Sequence, residues 1–258
     1  MARKQQKPLK AKLTSDHPFY GIIEDAYKVF KFDKPVATGV CECCMERDIE
    51  ADLFNPPIRE LPFHYLRDWY FAGQDEGGVP KGTWGHFLPR ILEVLAYGEE
   101  VSSIGLEVSL NRFDTGNPER WSKDQWDVLD RFQRAFLDRA IHREDAHFDE
   151  HDDYLDDTVC TLALGGWPVD QLIDQIMAAS DEALASRFAR DWGTGRPTVT
   201  VNAFWEDREA EVLALYTSKP LFDRMEALAL SEGTKPEVVE QALTVAAIIQ
   251  DNAEWARV

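Results

Sequence analysis

The stretch Ser122-Lys123-Asp124-Gln125-Trp126-Asp127-Val128-Leu129-Asp130-Arg131-Phe132-Gln133-Arg134-Ala135-Phe136-Leu137-Asp138-Arg139-Ala140 spells out one long amphipathic helix, and with it the fold class. Ser122 to Gln125 has the spacing of a capping box, in which each side chain satisfies the other's backbone N–H at a helix start. Behind it Trp126, Leu129, Phe132, Phe136 and Ala140 recur at steps of three and four, the period of one buried helical stripe. The same pattern repeats outward in both directions. Towards the N-terminus, Ser15 or Asp16 precedes Tyr20, Ile23, Tyr27 and Phe30, and a short helix is expected over about Glu46 to Phe54. Pro62 opens a helix carrying Leu66, Trp69 and Tyr70, and a further helix begins near His86, because Pro89 is tolerable only in a first turn. Towards the C-terminus, helices are expected over Tyr154 to Leu164, Pro168 to Ala179, Asp181 to Trp192, Glu206 to Ser218, Lys219 to Leu230 and Pro236 to Ala256. Only Thr198-Val199-Thr200-Val201 looks extended, and four residues with no partner strand read as a loop. The expectation is an all-α, irregular multi-helix globule, with stacked helical pairs as its open variant.

Residues 1–12 hold Arg3, Lys4, Lys7, Lys10 and Lys12 and no acid, so 1–14 reads as a disordered basic arm and 15–258 as a single all-α domain. A sub-division, if there is one, falls near 142–157. The formal charge is −19, and the chain beyond the arm is more negative still. Such a body repels phosphate backbones and anionic lipid, which sets aside nucleic acid and membrane surfaces and favours a basic protein partner. No apolar run approaches the length of a membrane span, and the N-terminus lacks a secretory signal. Four cysteines, three of them crowded, do not make a disulfide framework, so a reducing cytoplasm is expected. The aromatic residues, among them Trp69, Tyr70, Phe71, Trp84, Phe87, Trp121 and Trp126, read as core and interhelical packing, because base stacking needs basic neighbours.

Cys41-x-x-Cys44-Met45, Arg59-Glu60-Leu61, His86-Phe87-Leu88-Pro89-Arg90-Ile91-Leu92, Asn202-Ala203-Phe204-Trp205 and the leucine-rich run Leu221 to Leu228 together resemble a family of bacterial cytosolic proteins to which no activity is assigned. The resemblance covers most of residues 40–230. It implies a helical bacterial protein with a two-cysteine entry and a histidine before a leucine-rich helix. Cys43 is an additional thiol within that entry, which leaves open which two sulfurs pair.

Chemistry concentrates at that entry. A Cys-x-x-Cys turn lets two thiolates converge on a soft cation such as zinc, and Cys41 and Cys44 have the spacing. Cys43 lies between them. His86, His64 or Cys160 would have to complete a closed site, because there is no second Cys-x-x-Cys; His86 is the candidate taken forward. Redox catalysis is the weaker alternative, since thioredoxin-like enzymes carry this motif on an α/β sheet. His86 also suits a role as a helix-start residue whose ring bonds a backbone group. A second cluster runs from His142 to Asp157, where His147 and His151 at i and i+4 could chelate a cation and Glu144-x-x-His147 is half of a di-iron pattern. Acidic runs of this kind are more often solvated helix faces.

No phosphate-binding loop, dinucleotide-binding turn, zinc-protease helix or nucleophile elbow is present. The expectation is therefore an acidic helical interaction or regulatory protein whose cysteine turn is structural and takes zinc. The alternative is a metal-dependent enzyme using the cysteine turn and nearby His86, and the balance of signals is against an enzyme.

Overall fold

A computed structural model describes residues 13–41, 44–74, 76–102, 104–142, 154–197 and 209–253. Its α-helices are α1 (Tyr20–Val29), α2 (Arg47–Asp52), α3 (Phe63–Phe71), α4 (Lys81–Ala96), α5 (Lys123–His142), α6 (Leu155–Leu164), α7 (Val169–Met177), α8 (Asp181–Asp191), α9 (Glu209–Tyr216), α10 (Lys219–Leu230) and α11 (Pro236–Asn252). Among the described residues the extended structure is one isolated antiparallel bridge, Val40 to Gln74, so the fold is all-α. The basic residues of the arm, Thr198 to Val201, Asn202 to Trp205 and most of the acidic stretch lie outside the described residues.

The capping box forms. The Gln125 N–H donates to Ser122 Oγ at 3.3 Å, and the Ser122 N–H donates to Gln125 Oε1 at 3.1 Å. From that start α5 buries Leu129, Phe132, Phe136 and Ala140, while Trp126 is half-buried.

The chain divides into two units, each with its own core. The first comprises residues 1–135 with 164–166, the second residues 136–163 with 167–258. In the first, α1 packs on α4. Its core joins Phe19, Ile23 and Phe30 to Leu66 and Trp69 of α3 and to the buried face of α4. Two buried indoles of this core share one threonine: Trp84 donates to Thr115 Oγ1 at 2.9 Å and Trp121 to the Thr115 carbonyl at 2.8 Å.

Helix α4 departs from expectation. It starts at Lys81, several residues before His86, and carries Pro89 in its interior. An interior proline costs about 3 kcal/mol by deleting a helical hydrogen bond and crowding the preceding turn. Trp84, Phe87, Leu88, Ile91, Leu92 and Leu95 are all buried on this helix. At about 1.5–3 kcal/mol for each large apolar side chain, their burial outweighs the proline. Gly85 sits one turn before Pro89 and has the Phe32 ring against it, where a Cβ would overlap the ring.

The second unit packs α8 against α10 and α11, which form a helical hairpin, and α7 against α9. Arg224 of α10 closes the end of α7. It donates to the carbonyl oxygens of Met177 and Ala179, each at 2.7 Å, and to Asp181 Oδ1 at 2.6 Å at the start of α8. Phe188, Trp192 and Tyr216 form an aromatic cluster, with the first two rings stacked at 4.4 Å.

Candidate functional site

The cysteine turn is anchored from two sides. Cys41 donates its N–H to the Gly73 carbonyl at 2.7 Å, beside the Val40–Gln74 bridge, so the segment runs against the residues following α3. On the approach, Thr38 Oγ1 donates to the Val40 carbonyl at 3.2 Å. The Trp69 indole donates to the Thr38 carbonyl at 3.0 Å, and Thr83 Oγ1 donates to the Ala37 carbonyl at 2.9 Å. The carbonyl groups of Ala37, Thr38 and Val40 are thus held by side chains of α4, α3 and the loop itself. Gly39 has φ 72°, and a Cβ there would lie 2.7 Å from Pro80 Cδ, so glycine is required on both counts.

Arg112 acts one step further back, on the helix end that leads to Gly73. Its Nη2 donates to the carbonyl oxygens of Tyr70 at 2.5 Å and Ala72 at 2.9 Å, closing the C-terminus of α3. The guanidinium lies 5.1 Å from the ring centroids of both Trp69 and Tyr70. Burial draws its pKa below that of a free guanidinium, although arginine keeps its charge throughout the physiological range. Tyr70 in turn donates its hydroxyl to the Ser109 carbonyl at 2.5 Å.

The thiols stand on this scaffold. The Cys44 N–H donates to the Cys41 carbonyl at 3.0 Å, which ties the two cysteines of the motif together. Cys41 is half-buried and Cys44 exposed, and Met45 beside them is buried. The next residue, Glu46, donates its N–H to Asp68 Oδ2 at 3.1 Å. Cys43 lies outside the described residues. Cys160 is wholly buried in α6 of the second unit, and His64 is exposed with its ring edge-on to Tyr65 at 4.7 Å. Among the described residues no group of three or more His, Cys, Asp or Glu side chains gathers as a metal-ion cluster.

His86 is half-buried on α4 with its ring edge-on to Phe54 and Phe87, at 5.8 and 5.5 Å. Burial lowers its pKa, a hydrogen bond with the Phe32 backbone opposes that, and the Lys34 charge adds to the lowering. The ring thus has a backbone contact within an aromatic setting, inside α4 rather than at its start, and that contact leaves its other nitrogen open to the ligand role.

Phe71 reverses a sequence expectation. It is 71% exposed, whereas Trp69 and Tyr70 beside it are buried. The buried stripe of α3 is Leu66, Trp69 and Tyr70, and five steps of about 100° carry Phe71 roughly 140° around the helix from Leu66. That angle is present in the sequence, but aromatic type alone places the residue in the core. Val36, on the approach to the cysteine turn, is fully exposed as well. The acids Glu46, Asp48 and Glu76 are exposed around the turn, with Arg47 between the first two.

Elsewhere the charged groups serve the fold. In the first unit Glu93 is 4% exposed and accepts from Tyr27 Oη at 2.6 Å and Arg90 Nη1 at 2.5 Å. Burial and the Glu93 charge hold the Tyr27 phenol far above its ordinary pKa. In the second unit Arg187 Nε donates to Asp191 Oδ2 at 2.7 Å, and that oxygen also accepts the Leu155 N–H at 3.0 Å. Tyr216, wholly buried, donates to Asp156 and has its pKa raised, first by burial and then by the Asp156 carboxylate. A shallow groove of about 350 Å³ is lined by Asp25, Lys28, Lys123, Asp124, Asp127 and Arg131. Its Asp25 pairs with Lys28 at 2.9 Å and Arg131 at 3.1 Å, and Arg131 also holds Asp127 at 3.0 Å. One hint of the buried ion network is legible in local sequence, where Glu93 is a lone acid inside Ile91-Leu92-Glu93-Val94-Leu95.

At the second candidate cluster, His142 ends α5 with its Nδ1 3.0 Å from the Asp138 carbonyl oxygen. Glu144, His147 and His151 lie outside the described residues. No helix among the described residues is long and apolar enough to cross a membrane. Compared with known proteins, the chain matches no family model, no curated protein and no solved structure.

Proposed function

We propose that this is a cytoplasmic, acidic helical docking protein that engages a basic protein partner through the face around its cysteine turn. The observation that carries the proposal is the exposure of Phe71 at the end of α3, a helix end that Arg112 closes and that lies two residues before Gly73, whose carbonyl holds the Cys41 N–H. An exposed aromatic side chain on a rigid support is the kind of anchor that dominates interface energetics, because little side-chain entropy is lost on binding. Val36 is a second exposed apolar side chain in this unit, and the exposed acids Glu46, Asp48 and Glu76 are complementary to lysine and arginine. The net charge of −19 steers such a partner at long range.

Within this proposal the turn is structural, with zinc on the sulfurs of Cys41, Cys44 and Cys43. His86 remains the candidate fourth ligand, since a ring that gives one nitrogen to a backbone group keeps the other for a metal. Elemental analysis of tag-free protein tests the metal: stoichiometric zinc supports it, and its absence together with a melting temperature indifferent to chelation removes it. The docking face is tested by low-salt capture from the host lysate with wild-type protein and Phe71→Asp. A basic protein retained by the first and lost by the second is expected. An identical set of captured proteins from both would show that the face is not the docking site.

A further inference from the structure

We infer that Cys41 and Cys44 are an intramolecular disulfide site, closed by exchange with a small-molecule disulfide of the glutathione type when the turn carries no metal. This chemistry belongs to the metal-free turn and does not depend on the identity of any partner.

Three observations converge on it. The Cys44 N–H to Cys41 carbonyl bond ties these two residues together as the ends of an i to i+3 hydrogen bond. Such ends lie within about 7 Å of one another at their α-carbons, close to the roughly 4.4–6.8 Å that a disulfide spans. Cys41 is held in place by its bond to Gly73 and by the neighbouring Val40–Gln74 bridge, which fixes one end of the pair. Finally, the two thiols differ in access: Cys44 is exposed and Cys41 half-buried. That asymmetry assigns an attacking and a resolving sulfur, because exchange requires in-line approach of a bulky disulfide to the first thiolate alone.

The steps balance. Cys44 loses its proton, and its thiolate attacks one sulfur of the small disulfide, forming a mixed disulfide and expelling one small thiolate. The Cys41 thiolate then attacks Cys44 Sγ, forming the Cys41–Cys44 bond and expelling the second small thiolate. The protein gives up two electrons and two protons, and the small disulfide is reduced to two thiols.

The test uses the full chain, stripped of metal with a chelator and equilibrated in glutathione buffers of graded oxidation, then quenched by acid and read by intact mass and peptide mapping. Wild type and Cys43→Ser are expected to lose two hydrogen masses, with Cys41 and Cys44 in one linked peptide pair and no lasting glutathione adduct. Cys41→Ser is expected to accumulate the glutathione adduct on Cys44, since nothing resolves it, and Cys44→Ser to show neither product. Three results would each overturn the inference: a lasting adduct on Cys44 in the wild type, a bond that involves Cys43, or thiols that stay reduced at every buffer ratio. Because the wild type and three single variants are compared by mass, a folding defect in one variant leaves the wild-type mapping decisive.

Discussion

The guanidinium of Arg112 lies 5.1 Å from the Tyr70 ring and donates to the carbonyl oxygen of that same residue at 2.5 Å. A side chain from outside α3 thereby stacks on its last turn and closes its end, and Phe71 is the next residue along. Lysine can supply the charge but neither the planar stack nor the fork that reaches Tyr70 and Ala72 together. Arg112→Lys is therefore expected to cost about 2 kcal/mol, the scale of charge-assisted hydrogen bonds lost in a largely buried place. Urea unfolding checks this, and a midpoint equal to that of the wild type would show that the stack and fork carry no stability.

Gly39→Ala meets two obstacles, a positive φ of 72° and Pro80 Cδ at 2.7 Å from the new Cβ. The combined strain is expected to destabilise the protein by about 1–3 kcal/mol. Because Gly39 lies two residues before Cys41, the same variant should speed alkylation of Cys41 by iodoacetamide, measured by peptide mapping. Faster alkylation of Cys44 alone, with Cys41 unchanged, would mean that the glycine does not position the turn.

Arg187 and Asp191 have side chains only 1% and 6% exposed, and Asp191 also caps the first N–H of α6. Arg190 keeps a longer contact with Asp191 Oδ1 at 3.3 Å, so removing Arg187 leaves the buried carboxylate only partly paired, and Arg187→Met is expected to cost about 3 kcal/mol. Restoring neutrality with Arg187→Met/Asp191→Asn should recover part of that loss. A double variant no more stable than the single one, by calorimetry, would place the cost in packing rather than charge.

Glu24 is held below the usual carboxylate range by its hydrogen bond from Arg59, and Asp25 by those from Lys28 and then Arg131. A lowered folded pKa means that the unfolded chain binds protons first, so stability is full above the unfolded values and drains away as pH falls through the folded ones. All three pairs are partly open to water, which limits each to about 0.5 kcal/mol. Glu24→Gln/Asp25→Asn should be slightly less stable than the wild type at neutral pH, and the gap should close below about pH 4, near the unfolded carboxylate values. Melting temperatures across that range decide it; a gap that widens on acidification has the opposite sign.

Much of the architecture is legible in local sequence. The Ser122–Gln125 box and the three-and-four spacing behind it match α5, and Lys219 to Leu230 matches α10 residue for residue. Helix α4 is harder because Pro89 argues locally for a helix start, whereas burial of Trp84, Phe87 and Leu88 is a tertiary effect that a window of sequence does not contain. At the cysteine turn, spacing identifies Cys41 and Cys44 as a pair. Trp69 and Thr83, which bond the approach to it, arrive from 31 and 46 positions away, and no periodicity links them. Phe71 is misread as core because its aromatic character outweighs its helical angle.

The docking proposal depends most on charge acting together with the Phe71 anchor. Once the partner retained by the wild type and lost by Phe71→Asp is purified, its affinity for the wild-type chain should be titrated at ionic strengths from about 0.05 to 0.5 M, across which the Debye length shrinks several-fold. Weakening by about tenfold or more, mostly in the association rate, is the expected result for a partner steered by an anionic body. An affinity and association rate that stay constant across the series would contradict a role for the acidic surface.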